Sequence, residues 1–245
     1  MFSEVFIISL LAGGATGIGA LLGVIKRVSN RTLGILMGFA GGIMLAISFT
    51  ELLFQSINLS GITPAILGFA AGALFIFAVD SILPHIHFSV KENGMLDKRL
   101  FRFGMLLAIG ITIHNIPEGM VVGAGYSHLP ALGILVAIGI ALHNIPEGMV
   151  TAFSLYQSGT SRKKAFLISF GSGLVEPIGA MAAYFFLSGF PFLIAPAMAF
   201  AAGAMIFITL DELLPIAKEK HQHFTSLGVL LGIIFTLILS KIIGV

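Results

Sequence analysis

Long apolar stretches alternate with short polar segments along the whole chain, and each stretch is about as long as a helix that crosses a bilayer. Such a helix needs about 20 predominantly apolar residues. Turn-forming pairs such as Asn93-Gly94 and Ser158-Gly159 separate neighbouring stretches. The pattern predicts an all-α integral membrane protein, a single domain over residues 1–245, with eight transmembrane helices at 4–26, 32–56, 63–83, 100–126, 129–157, 164–188, 192–217 and 224–244.

The first apolar stretch is predicted to be a retained helix rather than a cleaved signal peptide. Glu4 precedes it, and Lys26 and Arg27 follow it. A signal peptide carries its positive charges before the apolar segment, which is the opposite arrangement.

The composition agrees with lipid as the main solvent. Of the 245 residues, 57% are hydrophobic and 10% are charged, against about 25% charged residues in a soluble domain. The net charge of +2 is small and forms no basic patch of the kind that nucleic acid requires. The chain contains no cysteine, which excludes thiolate metal sites, so metal ligands must be His, carboxylate or amide side chains.

The basic residues predict the orientation. All but one of the 13 Lys and Arg residues lie in or beside the loops that follow helices 1, 3, 5 and 7, and the exception is Lys241 near the C-terminus. Cytoplasmic loops carry the excess of Lys and Arg. We therefore expect these loops in the cytoplasm and both termini outside, in a multi-pass protein of the cell (inner or plasma) membrane.

Internal repeats support a transporter-like arrangement. Residues 108–120 recur at 137–149 with 11 of 13 positions identical. More weakly, Phe39–Leu53 in helix 2 resembles Phe200–Leu214 in helix 7. A third similarity, of Phe69–Pro84 in helix 3 to Phe200–Pro215, does not fit this pairing. Helices 2 and 7 are predicted to run in opposite directions, which indicates inverted three-helix repeats flanking a central metal-binding helix pair. Such repeats, with a site near the membrane midplane, are typical of transporters.

Three acids are predicted to lie deep in the membrane: Glu118, Glu147 and Glu176, in helices 4, 5 and 6. A lone charged carboxylate at the bilayer centre costs roughly 2.5–3.5 kcal/mol on insertion scales. Three such groups in one small protein need a shared compensation, and a bound divalent cation would supply it.

The spacing of the repeated motif places potential ligands on shared helix faces. His114 and Glu118 are four residues apart, and Asn115 is three residues from the same acid. Helix 5 repeats this arrangement, which predicts two adjacent metal positions bridged by the two central acids. One position would hold His114, His143, Glu118 and Glu147, and the other Asn115, Asn144, Glu118, Glu147 and Glu176. A single His-x-x-x-Glu pair is more often structural, but two copies at matched depth with a third acid favour metal.

A proline adjoins each acid, at Pro117, Pro146 and Pro177. Proline leaves a carbonyl oxygen unpaired four residues earlier, which lipid tolerates only where protein or a hydrated cavity satisfies it. These positions therefore fit an ion pathway.

Other polar residues are candidates for the ends of that pathway. We expect Glu51 near the outer end of helix 2, with Asp80, Asp211 and Glu212 near the inner ends of helices 3 and 7; the alternative is ordinary interface residues. Met44 offers a thioether, although core packing is the favoured explanation for it. Of the loop histidines, His85, His87, His221 and His223 are interpreted as solvated, with weak metal capture as the alternative, and His128 as incidental.

The paired His-Asn-Ile-Pro-Glu-Gly motifs at 114–119 and 143–148 resemble those of the ZIP family of metal transporters, most closely its bacterial branch. The resemblance extends over the whole chain. It implies import of Zn²⁺, and sometimes Fe²⁺, Mn²⁺, Co²⁺ or Cd²⁺, through a binuclear centre formed by His114, Asn115, Glu118, His143, Asn144, Glu147 and Glu176. It also implies alternating access and homodimers. The short loop after helix 3 departs from the long His-rich loop of many relatives.

The leading hypothesis is thus a metal-ion importer that is not an enzyme and uses no cofactor beyond its transported ion. Affinity should fall at low pH, because His and Glu bind metal when deprotonated. An intramembrane zinc hydrolase is one alternative, but the sequence lacks the H-E-x-x-H motif. A proton or anion carrier that binds no metal is the other.

Overall fold

A computed structural model describes residues 2–25, 29–82 and 98–245, except for the side chains of residues 80, 82, 98–104, 106 and 107. Within these ranges all regular structure is helical, which confirms the predicted all-α class for the described part. The first five helices are α1 (Phe2–Ile25), α2 (Asn30–Ser60), α3 (Ile62–Ile82), α4 (Lys98–His128) and α5 (Pro130–Gln157).

The second part of the chain contains interrupted helices. The helix α6 has two parts, Arg162–Gly173 and Glu176–Gly189, and Pro177 in the first turn of the second part suits a helix start. A short 3₁₀ turn, Pro191–Leu193, precedes α7, which we define as 194–220. The helical segment Leu214–Ile243 breaks at His221 (φ −167°, ψ 104°), and α8 is the part over 222–243.

Among the described residues, six helical stretches are long and apolar enough to cross a membrane: Phe2–Ile25, Asn30–Ser60, Ile62–Val79, Pro130–Gln157, Arg162–Gly189 and Pro191–Ile243. The last includes both α7 and α8. Many large apolar side chains on these stretches are exposed, among them Leu67, Ile178 and Ile242. Such a surface requires lipid around it.

Two helices contain a π-helical turn at corresponding positions. In α2 the turn covers Ile47–Leu53, and in α7 it covers Thr209–Leu213. These turns lie within the similar stretches Phe39–Leu53 and Phe200–Leu214, so that similarity extends to an uncommon backbone geometry. Single π turns inside α-helices occur frequently at functional sites.

Glycines allow the helices around the centre of the molecule to pack backbone against backbone. The last residue of each repeated motif lies against a carbonyl of a neighbouring helix: Gly119 of α4 against Glu176 of α6, and Gly148 of α5 against Thr16 of α1. A Cβ at either glycine would collide with that carbonyl oxygen. Small residues permit this close approach in membrane helices, so the motif fixes how α4 and α5 sit against their neighbours.

Candidate metal centre

The structure brings together three of the predicted ligands at the contact between α4 and α5. Glu118, His143 and Glu147 each offer a ligand atom, and these atoms lie within 4.8 Å of one another. His143 Nε2 is 3.3 Å from Glu118 Oε1 and 3.4 Å from Glu147 Oε2. The i,i+4 spacing therefore places His143 and Glu147 on one face of α5, and that face meets Glu118 of α4.

The three side chains are withdrawn from solvent and incompletely paired. Glu118 is fully buried and His143 is 2% exposed, while the Glu147 side chain is 11% exposed. Neither carboxylate oxygen of Glu118 accepts a hydrogen bond from a described residue, and His143 Nδ1 also lacks a partner there. Burying a charged group without full pairing is costly, and two carboxylates with one imidazole form a donor set that Zn²⁺ accepts.

Glu176 and Asn144 form a second, adjoining cluster. Asn144 Nδ2 donates to Glu176 Oε1 at 2.5 Å and to the carbonyl oxygen of Ala12 at 2.8 Å. Glu176 lies in the first turn of the second part of α6, where the helix dipole favours a negative charge. The remaining carboxylate oxygen, Oε2, has no partner in the described part of the chain.

The amide group of each motif asparagine is oriented by a backbone carbonyl. Asn115 Nδ2 donates to the carbonyl oxygen of Ser172 at 2.8 Å, as Asn144 does to Ala12. The Oδ1 atoms of both asparagines are buried and accept no hydrogen bond from a described residue. Amide oxygens held in this way are suitable ligands for a divalent cation.

His114 lies apart from the three-residue cluster in its contacts. Its Nε2 is 3.1 Å from Glu212 Oε1, and Glu212 belongs to the π turn of α7. The sequence predicted His114 beside His143 in one metal position. The structure pairs it with an acid that the sequence had assigned only to the inner end of the pathway.

The other predicted pathway residues differ in their surroundings. Glu51 is buried in the π turn of α2 and accepts hydrogen bonds from Thr50 Oγ1 at 3.0 Å and Ser240 Oγ at 2.8 Å. Met44 is buried in the hydrophobic core with Ile43 and Ile47, and Asp211 is exposed. Asp80 lies in the last part of α3, but its side chain lies outside the described residues.

The histidines predicted to be solvated are only partly described. Positions 85 and 87 lie outside the described residues. His221 occupies the break between α7 and α8, where its ring packs against Phe224, and His223 is exposed. His128 lies in the last turn of α4.

Thr16 of α1 is not among the residues predicted from the sequence; it is fully buried, and its Oγ1 lacks a hydrogen-bond partner in the described part. A signal for it was present. Residues 8–20 and 168–180 both begin with Ile-Ser, both end with Ile-Gly-Ala and share a glycine between them. In that alignment Thr16 corresponds to Glu176.

Comparison with known proteins places this geometry in context. A family model described as ZIP Zinc transporter matches residues 90–240. The chain is 41% identical to a protein named Zinc transporter ZupT from Chlorobium luteolum, over 94% of each chain. It is 40% identical to the ZupT of Escherichia coli O81 over 98% of each chain, and 36% identical to that of Chlorobium chlorochromatii over 91% of each.

Proposed function

The chain belongs to the ZIP zinc transporter family, and we propose that it carries divalent transition metal, above all Zn²⁺, into the cytoplasm through the centre formed by Glu118, His143 and Glu147. It is a multi-pass membrane transporter and not an enzyme. The observation that carries the proposal is the convergence of two buried side chains, Glu118 and His143, with the partly buried Glu147 at the contact of two motif helices.

A divalent cation at this centre would complete its pairing. The two carboxylates would supply charge, and His143 Nε2 would supply a nitrogen ligand. Zinc binds such ligands at about 2.0–2.2 Å, so side-chain atoms now 3.3–3.4 Å apart are close enough to share one ion. Zinc is thus held by groups that lipid would otherwise penalise.

A second ion position beside the first is the next part of the proposal. Its ligands would be oxygens, with Glu176 and the two asparagine amides joining the central acids Glu118 and Glu147. The hydrogen bond from Asn144 to Glu176 supports this second position, because it links Glu176 of α6 directly to α5. His114 would join the first position after leaving Glu212. Oxygen-rich ligands suit Mn²⁺, while imidazole suits Zn²⁺ and Fe²⁺, so Fe²⁺, Mn²⁺, Co²⁺ and Cd²⁺ are further proposed substrates.

We extend the proposal to eight membrane spans with both termini outside, inverted three-helix repeats around α4 and α5, and assembly as a homodimer. Matching π turns in α2 and α7 support the repeats, and the break at His221 supports counting α7 and α8 as separate spans. Metal would approach past Glu51 and leave through Glu212, Asp211 and Asp80. The contact between His114 and Glu212 supports the inner part of this route.

Zinc flux into liposomes that contain the purified protein tests the proposal. We expect rapid uptake by the native chain and a loss of uptake for Glu118→Ala, because that change removes a carboxylate from the shared centre. Glu219→Ala, which removes an exposed acid of α7, is the matched control and should transport normally. Undiminished flux in Glu118→Ala, with the fold intact, would contradict the site, and a native protein that moves no zinc would contradict the function.

A further inference from the structure

Thr16, in the middle part of α1, has a buried hydroxyl that no described residue engages. Its side chain is fully buried, and Oγ1 has no hydrogen-bond partner in the described ranges. Other buried threonines in helices donate to the carbonyl four residues earlier, as Thr209 does to Met205 and Thr236 to Gly232. An unpartnered buried hydroxyl is costly, so helix packing alone does not account for threonine here.

The usual acceptor for this hydroxyl is already engaged by the candidate metal centre. The carbonyl oxygen of Ala12, four residues before Thr16, accepts a hydrogen bond from Asn144 Nδ2. The Thr16 Oγ1 atom instead lies against Gly173, where any Cβ would collide with it. The hydroxyl is therefore directed toward the interrupted region of α6, from which Glu176 also projects.

Thr16 occupies on α1 the position that Glu176 occupies on α6. Gly148 of α5 lies against the carbonyl of Thr16, and Gly119 of α4 lies against the carbonyl of Glu176. These glycines are equivalent residues of the two repeated motifs. The helix pair α5 and α1 thus repeats the contact made by α4 and α6, with a hydroxyl where the other pair has a carboxylate.

The motif asparagines extend this correspondence to the ligands themselves. Asn144 donates to the carbonyl of Ala12, and Asn115 donates to that of Ser172, which are again equivalent positions on α1 and α6. Since Asn144 also contacts Glu176, the same relation predicts that the threonine hydroxyl lies on the side of Asn115. The oxygen Oδ1 of Asn115 is likewise buried and unpartnered within the described ranges.

We propose that the Thr16 hydroxyl is an uncharged oxygen ligand for a divalent cation at the oxygen-rich position, on the Asn115 side and opposite Glu176. This inference rests on the proposed transport function and adds a ligand from α1. A neutral hydroxyl oxygen adds a hard donor without adding charge. It should therefore matter more for Mn²⁺, which favours oxygen ligands, than for Zn²⁺ held by imidazole.

The test compares Thr16→Val, which keeps the shape and removes the hydroxyl, with Thr16→Ser, which keeps the hydroxyl. Purified full-length protein in detergent would be dialysed against Mn²⁺ or Zn²⁺, and bound metal would be measured by elemental analysis. We expect Thr16→Val to weaken Mn²⁺ binding about tenfold. This is the lower end of the loss in metal affinity that follows removal of a group supporting a metal site. Its binding of Zn²⁺ at the tightest position should change little, and Thr16→Ser should bind both metals as the native protein does.

Thermal unfolding without metal shows whether Thr16 acts as a metal ligand or only in helix packing. Replacing an unpartnered buried hydroxyl by a methyl group removes a desolvation cost, so Thr16→Val should unfold at the native temperature or higher. Thr236→Val, which removes a hydroxyl already bonded to Gly232, is the matched control and should bind both metals normally. Thr16→Ala gives the same comparison if the valine variant does not fold.

Native Mn²⁺ binding in Thr16→Val or Thr16→Ala would overturn the inference. So would a weakening of Mn²⁺ binding that Thr16→Ser shares in full. A native protein that binds neither metal would instead overturn the proposed function, so the two failures are distinguishable.

Discussion

The two motif helices, α4 and α5, share 11 of 13 residues over their repeated segments but engage their histidines differently. On α5, His143 contacts Glu118 and Glu147 inside the centre. On α4, His114 contacts Glu212 in the π turn of α7. The equivalent acid in the π turn of α2, Glu51, does not reach a motif histidine and is bonded to Ser240 instead.

This difference shows that the local sequence determines which side chains lie on a helix face. The packing of the neighbouring helix determines which residue each of them contacts. Each motif presents a histidine and a glutamate on one face. The π turn of α7 reaches a motif helix through Glu212 and His114, whereas the acid of the π turn in α2 is bonded to hydroxyl groups. The structure is therefore asymmetric at the ligands although the chain around them is repeated.

The largest expected effect comes from exchanging the two histidines for alanine one at a time. His143→Ala removes the only histidine contact of the described three-residue cluster, so zinc affinity should fall about 100-fold, the upper end for loss of a group that supports a metal. His114→Ala should weaken binding by about tenfold on the same scale. Zinc titration of the purified variants measures both affinities. Equal losses of affinity in the two variants would contradict a functional difference between His143 and His114.

The motif glycines should behave alike where the histidines do not. Gly119→Ala and Gly148→Ala both force a Cβ into a backbone carbonyl, and overpacking of this kind costs about 1–3 kcal/mol. Thermal unfolding in detergent should show similar losses for both. Gly110→Ala, on α4 with open space around its Cα, is the control and should retain or raise stability. A native unfolding temperature in either motif variant would contradict the packing described above.

The smallest expected effect concerns the two acids of the π turns. Glu212→Gln weakens a partly exposed pair, and such a pair contributes up to about 1 kcal/mol, so the flux of zinc should change by no more than about fivefold. Equilibrium binding of zinc should stay near native, because Glu212 lies outside the three-residue cluster. Glu51→Gln should change flux less, since its contacts are to hydroxyl groups. Stopped-flow uptake into liposomes measures the zinc flux of both variants. A larger change in flux for Glu51→Gln than for Glu212→Gln would contradict this prediction.

The membrane class and the helical character of the described segments could be predicted from hydropathy alone, because lipid demands long apolar helices. The meeting of Glu118, His143 and Glu147 could also be predicted, since i,i+4 spacing and buried charge act locally. The contact between His114 and Glu212 could not, because it joins residues far apart in sequence and depends on how α7 packs. Likewise, the expected loop between helices 7 and 8 is a break at His221, since the preceding Lys-Glu-Lys segment consists of good helix formers.

The three glutamates near the centre, Glu118 and Glu176 fully buried and Glu147 partly so, set the net charge of the site when it holds divalent ions. With all three ionised, one divalent ion leaves a residual charge of about −1 and a second changes it to about +1, so neither occupancy reaches neutrality. In a medium of low dielectric constant, a residual charge of either sign is unfavourable. The asparagine oxygens carry no formal charge, so they leave this imbalance in place, and only a change in protonation would remove it.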